Sequence, residues 1–333
     1  MRRIALILLL FIALSSAPHF GVETLLRPTP AVVAAQALPM PPERVQRAAY
    51  GPLKLRGVWR LRSDASVFGG ISSLLAYGND RFTGLSDSGE YVNFVLGSAS
   101  PGRIASLPRL PEQIKERHRL QDTESMTRDP VSGRIWTGFE QVQRICRYAP
   151  GFASIEACAY PPAMQDWPKD FGAESLVRLG DGRFLTIGER AFVGGGGHEV
   201  LLWSGDPTEL DTPPPAHLSY IAPTGYMPTD AVWLGGDRLL VLTRRMTIAD
   251  WFTAKLTLVR LPKLRQGAVM KGEVIASFEP PAPVDNMEGL AVTREKDGPM
   301  LWIVSDDNHL ALQRTLLFKF ALPRDWVSDA PAP

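Results

Sequence analysis

DFGAESLVRLGDGRFLTIGER, residues 170–190, reads as a β-hairpin. Residues 175–179 are mostly apolar, Gly180, Asp181 and Gly182 supply the turn, and 184–187 are again apolar and β-prone. Glu174 stands just before the first strand and Glu189 just after the second. The two open ends of a tight antiparallel hairpin lie side by side, so both carboxylates come to one edge of the sheet.

The stretch recurs along the chain. FGGISSLLAYGNDRFTGLSDSG (68–89) aligns with it without a gap, Ser72 falling on Glu174 and Asp87 on Glu189. DTESMTRDPVSGRIWTGFEQ (122–141) carries Glu124 and Glu140 at the two ends. PTDAVWLGGDRLLVLTRR (228–245) has a turn one residue shorter, with Asp230 and Arg244 at the two positions. DNMEGLAVTREKDGPMLWIVSDDN (285–308) has a longer turn, with Glu288 and Asp306. Five copies at a spacing of roughly fifty residues point to a propeller or solenoid, and their strand content favours the propeller. The expected fold is all-β: a single β-propeller of five four-stranded blades, or six if a longer join hides a degenerate copy. The lone strand at 53–61, LKLRGVWRL, is expected to close the ring by completing the last blade after 315–322.

A chain of 333 residues, 45% hydrophobic, can bury a large core without metals or many disulfides. Its net charge of +1 gives no reason to expect nucleic acid or an acidic membrane surface as partner. Glycine and proline, 29 each, are separated by apolar strands and so mark turns rather than disorder.

Arg2 and Arg3 precede an apolar run at 4–14 and then Ser15, Ser16 and Ala17, the order of a secretory signal peptide (1–17) or an uncleaved N-terminal anchor. The run is short for a membrane span, and the chain is expected to be exported to the periplasm or secreted. Residues 18–52, rich in Pro and Ala, read as a linker. The propeller domain is expected over 53–322, and the Pro-rich tail 323–333 as loose. Folding 144–160 into a hairpin about Phe152 sets Cys146 opposite Cys158. In an exported chain these form a disulfide or remain two small facing residues.

In a propeller, residues at one blade position form a ring around the central channel. One ring would hold Ser72, Glu124, Glu174, Asp230 and Glu288, and a second Asp87, Glu140, Glu189, Arg244 and Asp306. So many converging carboxylates repel one another and need cations, protons or hydrogen-bond donors. The first-ring acids Glu124, Glu174, Asp230 and Glu288 are candidate metal ligands, and oxygen-only ligands favour Ca²⁺ or Mg²⁺. The alternative is that the acids cap turns and accept backbone N–H groups, a reading that suits Asp87, Glu140 and Glu189, at strand ends beside Ser, Gly and Arg, better than the first ring. Arg244 and Arg245 are a candidate pair for binding a phosphate or carboxylate, unless Arg244 simply neutralises a neighbouring acid. No G-x-S-x-G elbow, H-E-x-x-H, P-loop or dinucleotide fingerprint is present, and no catalytic nucleophile can be named.

FGGISSL with LSDSG, DTESM, GAESL, and NMEGLAV with WIVSDDN together resemble the phytase-like proteins of bacteria, also described as having esterase-like activity. The resemblance covers roughly residues 57–322. It implies an exported β-propeller and a Ca²⁺-dependent hydrolase of a small-molecule ester or phosphoester with an acid-lined channel; the chain is expected to be a monomer. Glu124, Glu174 and Glu288 match the acid pattern, Asp230 departs conservatively, and Ser72 leaves the first blade without a ligand. The chain lacks a dense Lys/Arg lining, which argues against phytate itself as substrate. A non-catalytic binding propeller of the envelope is the other reading.

Overall fold

The computed structural model describes residues 28–97, 100–108, 122–194 and 196–330. The expected signal segment 1–17 lies outside them. The strand β1 (Thr29–Ala37), the helix α1 (Glu43–Tyr50) and the strand β2 (Lys54–Ser63) lead into five groups of strands. The first group is β3 (Ile71–Ala76), β4 (Arg81–Ser86), β5 (Glu90–Val95) and β6 (Ser100–Ser106). The second is β7 (Thr123–Arg128), β8 (Ile135–Phe139), β9 (Arg144–Tyr148) and β10 (Ile155–Ala159). The third is β11 (Ala173–Arg178), β12 (Phe184–Val193), β13 (Gly197–Trp203) and β14 (Ala216–Ile221). The fourth is β15 (Met227–Gly235), β16 (Arg238–Thr247), β17 (Trp251–Arg260) and β18 (Val269–Phe278). The last is β19 (Asn286–Glu295), β20 (Gly298–Asp306) and β21 (Leu316–Ala321), and β2 pairs antiparallel with β21 as its fourth strand.

Within each group the strands are antiparallel neighbours in sequence order, so the chain is all-β and propeller-like. The hairpin at 170–190 forms as its residues dictate: Arg178 pairs with Phe184, and Gly182 takes a φ of 91°, a conformation open to glycine. The first strands β3, β7, β11, β15 and β19 each lie beside the next, and β19 lies beside β3. Alternating apolar residues then face a partner group on either side. Leu176, Phe184 and Leu201 pack on Trp136 and Ile145. Val177, Leu185 and Ile187, pointing the other way, pack on Leu239, Val241 and Val259. Trp302, Val304 and Leu317 of the last group pack on Leu74, Phe82 and Val92 of the first.

Of the expected linker 18–52, the described residues 28–52 are not plain linker. β1 pairs antiparallel with both β2 and β6, joining the first and last groups into one nine-stranded sheet. Its composition hides a short alternation, with Ala31 and Val33 buried. α1 follows, and its Tyr50 is fully buried against Phe278 and Phe320, with centroids 5.5 and 5.0 Å away. Nor is the C-terminal tail loose up to residue 330. Ser328 N donates to Leu234 O at 2.8 Å and Gly236 N to Ala330 O at 2.7 Å. Gly235 is what admits this contact, since a Cβ there would lie 1.6 Å from Ser328 O. Cys146 and Cys158 are register partners on β9 and β10 and are joined by a disulfide.

Candidate functional site

In every group the pairing of the first two strands slips by one residue near the start of the first. Such a bulge bends the strand and re-aims one side chain. The residues skipped by the register are Ser72, Glu124, Glu174, Thr229 and Glu288. Just beyond the pair that precedes the bulge, the second strand carries Asp87, Glu140, Glu189, Arg244 and Asp306 in the five groups. The second ring is therefore aligned as read from sequence, but the first is corrected in the fourth group. Thr229, not Asp230, is the counterpart of Glu174. With Thr229 in that place the fourth copy keeps the spacing of the third, 229 to 244 matching 174 to 189, and a second slip lies between Trp233 and Gly235.

Asp230 occupies instead the position of Ser73, and does the same work. Met126 N donates to Ser73 Oγ at 3.1 Å, and Leu290 N donates to Asp230 Oδ2 at 2.6 Å, in each case from the next group's first strand. The other Asp230 oxygen accepts Ala231 N at 2.7 Å. Burial holds this carboxyl well above the usual range despite both N–H donors. Ser72 and Thr229 are also spent on their neighbours, donating to Thr123 O at 2.6 Å and Met287 O at 3.0 Å. That leaves the glutamates Glu124, Glu174 and Glu288 as the bulge residues that carry charge to the centre.

Glu124 and Glu288 fall into two neighbourhoods, and Glu174 belongs to neither cluster, its carboxyl lying near the charges of Glu189, Glu140 and Glu288. Carboxylate oxygens of Asp122, Glu124 and Glu140 lie within 4.8 Å of one another. Gly172 N donates to Glu140 Oε2 at 3.2 Å, and Gln141 Nε2 to Asp122 Oδ2 at 2.9 Å. On the other side, Arg244 Nη1 meets Glu288 Oε1 at 2.6 Å and Asn286 Oδ1 at 2.5 Å, and its Nη2 lies 3.4 Å from Glu189 Oε1. Asn286 Nδ2 passes the contact on to Asp306 Oδ2 at 3.4 Å. Asp122 and Asn286 were not picked out from the sequence. Their signal is position: each stands two residues before a bulge glutamate.

Burial drives the electrostatics, and neighbours add to it. Glu124 is held well above the usual carboxylate range by burial and then by Glu140, and Glu174 by burial and then by Glu189. Burial and Asp122 push Glu140 up to about 9, and burial and Asp122 push Asp87 up to about 7. Burial and the Asp87 charge hold Asp306 well above the usual range. Glu288 is raised by burial to about 8, with Arg244 pulling against the rise. Burial opposes the charge on Arg244, but Glu288 and Glu189 outweigh it and hold the guanidinium protonated.

Arg244 and Arg245 do not form an anion-binding pair. Successive strand residues point to opposite faces, so Arg245 turns away to Asp250 at 3.4 Å and lies over the Tyr226 ring at 4.9 Å. Arg244 serves its neighbouring acids.

The strands and the converging acids define an all-β, propeller-like protein with an acid-lined centre. The chain belongs to the phytase-like family described as "Esterase-like activity of phytase", whose sequence profile matches residues 66–309. No curated protein matches it in sequence. Among solved structures it is similar to a luciferin-regenerating enzyme, at 11% identity and a TM-score of 0.43, covering 89% of this chain and 96% of that one. It is also similar to the Malassezia sympodialis allergen Mala s 1, at 12% identity and a TM-score of 0.44, covering 86% and 88%. A third is the α-L-arabinofuranosidase of Lactobacillus brevis, at 12% and 0.48, covering 80% and 95%.

Proposed function

We propose that the five groups are the blades of one closed propeller, and that its centre binds a divalent cation and hydrolyses a small-molecule ester or phosphoester. The observation that carries the reading is the cluster of Asp122, Glu124 and Glu140, with ligand oxygens within 4.8 Å of one another. That is the span of two oxygens on opposite sides of an ion with bonds of roughly 2.4 Å, as in a Ca²⁺ site. The donor set is oxygen alone and acidic, which suits Ca²⁺ or Mg²⁺ over zinc or copper. These carboxylates would hold the ion, and a bound divalent cation supplies polarisation of the ester oxygen and a more acidic water.

The chain's own residues supply the rest. Arg244, held between Glu288 and Glu189 on the other side of the centre from the cluster, keeps a fixed positive charge that can attract an anionic ester. Glu288, with its carboxyl raised to about 8 and its Oε1 held by Arg244, can hold or release a proton at Oε2 near neutral pH. Export fits the Cys146–Cys158 disulfide, which persists in oxidising compartments. Among the described residues no helix is long and apolar enough to cross a membrane.

A binding propeller without catalysis is the second reading, favoured by Asp230, whose oxygens are both taken by backbone N–H groups. Hydrolysis of 4-nitrophenyl acetate and 4-nitrophenyl phosphate, with Ca²⁺ and then with chelator, separates the two. The expected result is turnover that needs Ca²⁺, with Ca²⁺ affinity and turnover both falling at least about tenfold in Glu124→Gln. Calcium binding without turnover would make the chain a binding module. No response to calcium at all would sink the metal reading.

A further inference from the structure

A second site lies at the opposite end of the first group from the acids. β3 runs from the bulge at Ser72 to the turn at Tyr77, and β4 returns from Arg81 to Ser86 and Asp87, so Tyr77 and Asp87 sit at opposite ends of one hairpin. At the Tyr77 end a cavity of about 530 Å³ opens between the first and second groups. That is the size of a small-molecule pocket.

Its lining combines arginines with an aromatic ring. Arg81, Arg103 and Arg128 reach it from β4, β6 and β7, three strands of two different groups. The Arg128 guanidinium lies over the Tyr77 ring at 5.3 Å, and Pro101 and Pro150 add apolar lining; the stacked rings of Phe82 and Phe94 belong instead to the core shared with the last group. The lining includes no acid. The acids nearest in sequence are occupied elsewhere: Asp80 meets Lys319 at 3.2 Å, and Asp129 accepts Ser132 Oγ at 2.8 Å and Val131 N at 3.0 Å. Other arginines of the second group are neutralised, Arg134 and Arg147 both meeting Glu156 at 2.9 Å. Among the described residues, none of the three pocket arginines has a carboxylate within ion-pair distance. Three like charges facing one cavity repel each other, and an anion between them relieves that repulsion. Guanidinium forks match phosphate and carboxylate oxygens, and ring faces match a flat apolar body.

We propose that this cavity binds a small organic anion: a phosphate or carboxylate group held by Arg81, Arg103 and Arg128, joined to an apolar ring seated against Tyr77, Pro101 and Pro150. The site is separate from the acid-lined centre. It would make the chain responsive to an anionic metabolite whether or not the centre is catalytic.

Calorimetric titration of the full chain with phenylphosphonate, which has no ester bond to cleave, tests this. The expected result is saturable binding, stronger than that of inorganic phosphate and of benzyl alcohol. Affinity should weaken roughly tenfold or more in Arg103→Gln and in Arg128→Gln, as removal of one charge-assisted fork predicts. Arg103 is exposed, so the first variant carries little risk to folding, and an unchanged melting temperature checks it. Glu124→Gln should leave phenylphosphonate affinity unchanged. The proposal is overturned by no saturable binding, by inorganic phosphate binding as tightly, or by loss of binding in Glu124→Gln while Arg103→Gln retains it. The last result would move the anion to the centre. Ester turnover is not the readout, so failure here and failure of the hydrolase reading are distinguishable.

Discussion

Glu124 and Asp230 look alike in the sequence, each an acid at the start of a repeat, and the structure gives them different work. One register step separates them. Glu124 sits on the bulge and joins Asp122 and Glu140, whereas Asp230 sits one residue later and ties its strand to Leu290 N at 2.6 Å. A side-chain period of two makes that single step decisive. The acids themselves were legible in the sequence; the carboxylates spent on backbone amides were not, because that depends on which strand lies alongside. Asp230→Ser, which restores the residue found at Ser73, Ser125 and Ser175, should therefore lower stability by about 1 kcal/mol and leave calcium affinity unchanged. Denaturant melts and calcium titration measure both, and a lost calcium response would return Asp230 to the metal site. Arg244 is the opposite case, a cation whose removal strands two acids. Arg244→Met leaves Glu288 and Glu189 unpaired, and breaking a buried pair from one side costs about 3 kcal/mol or more. The loss should be small at pH 6, where the Glu288 carboxyl keeps its proton with or without Arg244, and grow toward pH 9, above its value of about 8. Equal losses at both pH values would show that the guanidinium acts through packing alone.

At the scale of elements, the repeats could be read because each is a hairpin with its own turn glycines, and the third and fourth strands follow from short apolar runs. β1 could not, because Pro and Ala mask its alternation and its partners β2 and β6 come later in the chain. α1 is only eight residues long, and its place comes from Tyr50 packing rather than from helical periodicity. The cysteine pair was legible because both partners belong to one hairpin, a local relation that spacing can reveal. Their bond closes a separation of 12 residues, so the chain-entropy account gives about 2–3 kcal/mol. Replacing both by serine should lower the denaturation free energy by that amount. It should leave calcium affinity untouched, since β9 and β10 carry none of the clustered acids. A double variant as stable as the parent in oxidising buffer would mean that the bond contributes nothing to the fold.

At the scale of the whole molecule, five groups share cores with both neighbours, and the proposed closed propeller brings their strand starts together at one centre. The price of that convergence is electrostatic. Glu140, Glu288 and Asp87 have carboxyls raised to about 9, 8 and 7 from ordinary values of 4.5, 4.5 and 3.8. A carboxyl with a raised folded pKa keeps a proton that the unfolded chain has already released. The folded state then binds more protons between roughly pH 4 and pH 9, and stability must fall as pH rises through that window. The contribution is intact below the unfolded value and lost once pH passes the folded one. In chelator, the melting temperature should therefore decline steadily from pH 6 to pH 9. Under the proposed metal reading, calcium at Asp122, Glu124 and Glu140 would replace those protons with a cation and stabilise the folded state in proportion to its occupancy, by about 2.7 kcal/mol at a hundredfold excess over Kd. The gain from saturating Ca²⁺ should then grow with pH, and the decline should flatten. Melting curves at pH 6, 7, 8 and 9, with chelator and with Ca²⁺, contain the whole test. A melting temperature that stays level or rises in chelator would show that the acids are relieved by something other than protons. A calcium gain independent of pH would place the ion away from the raised carboxyls.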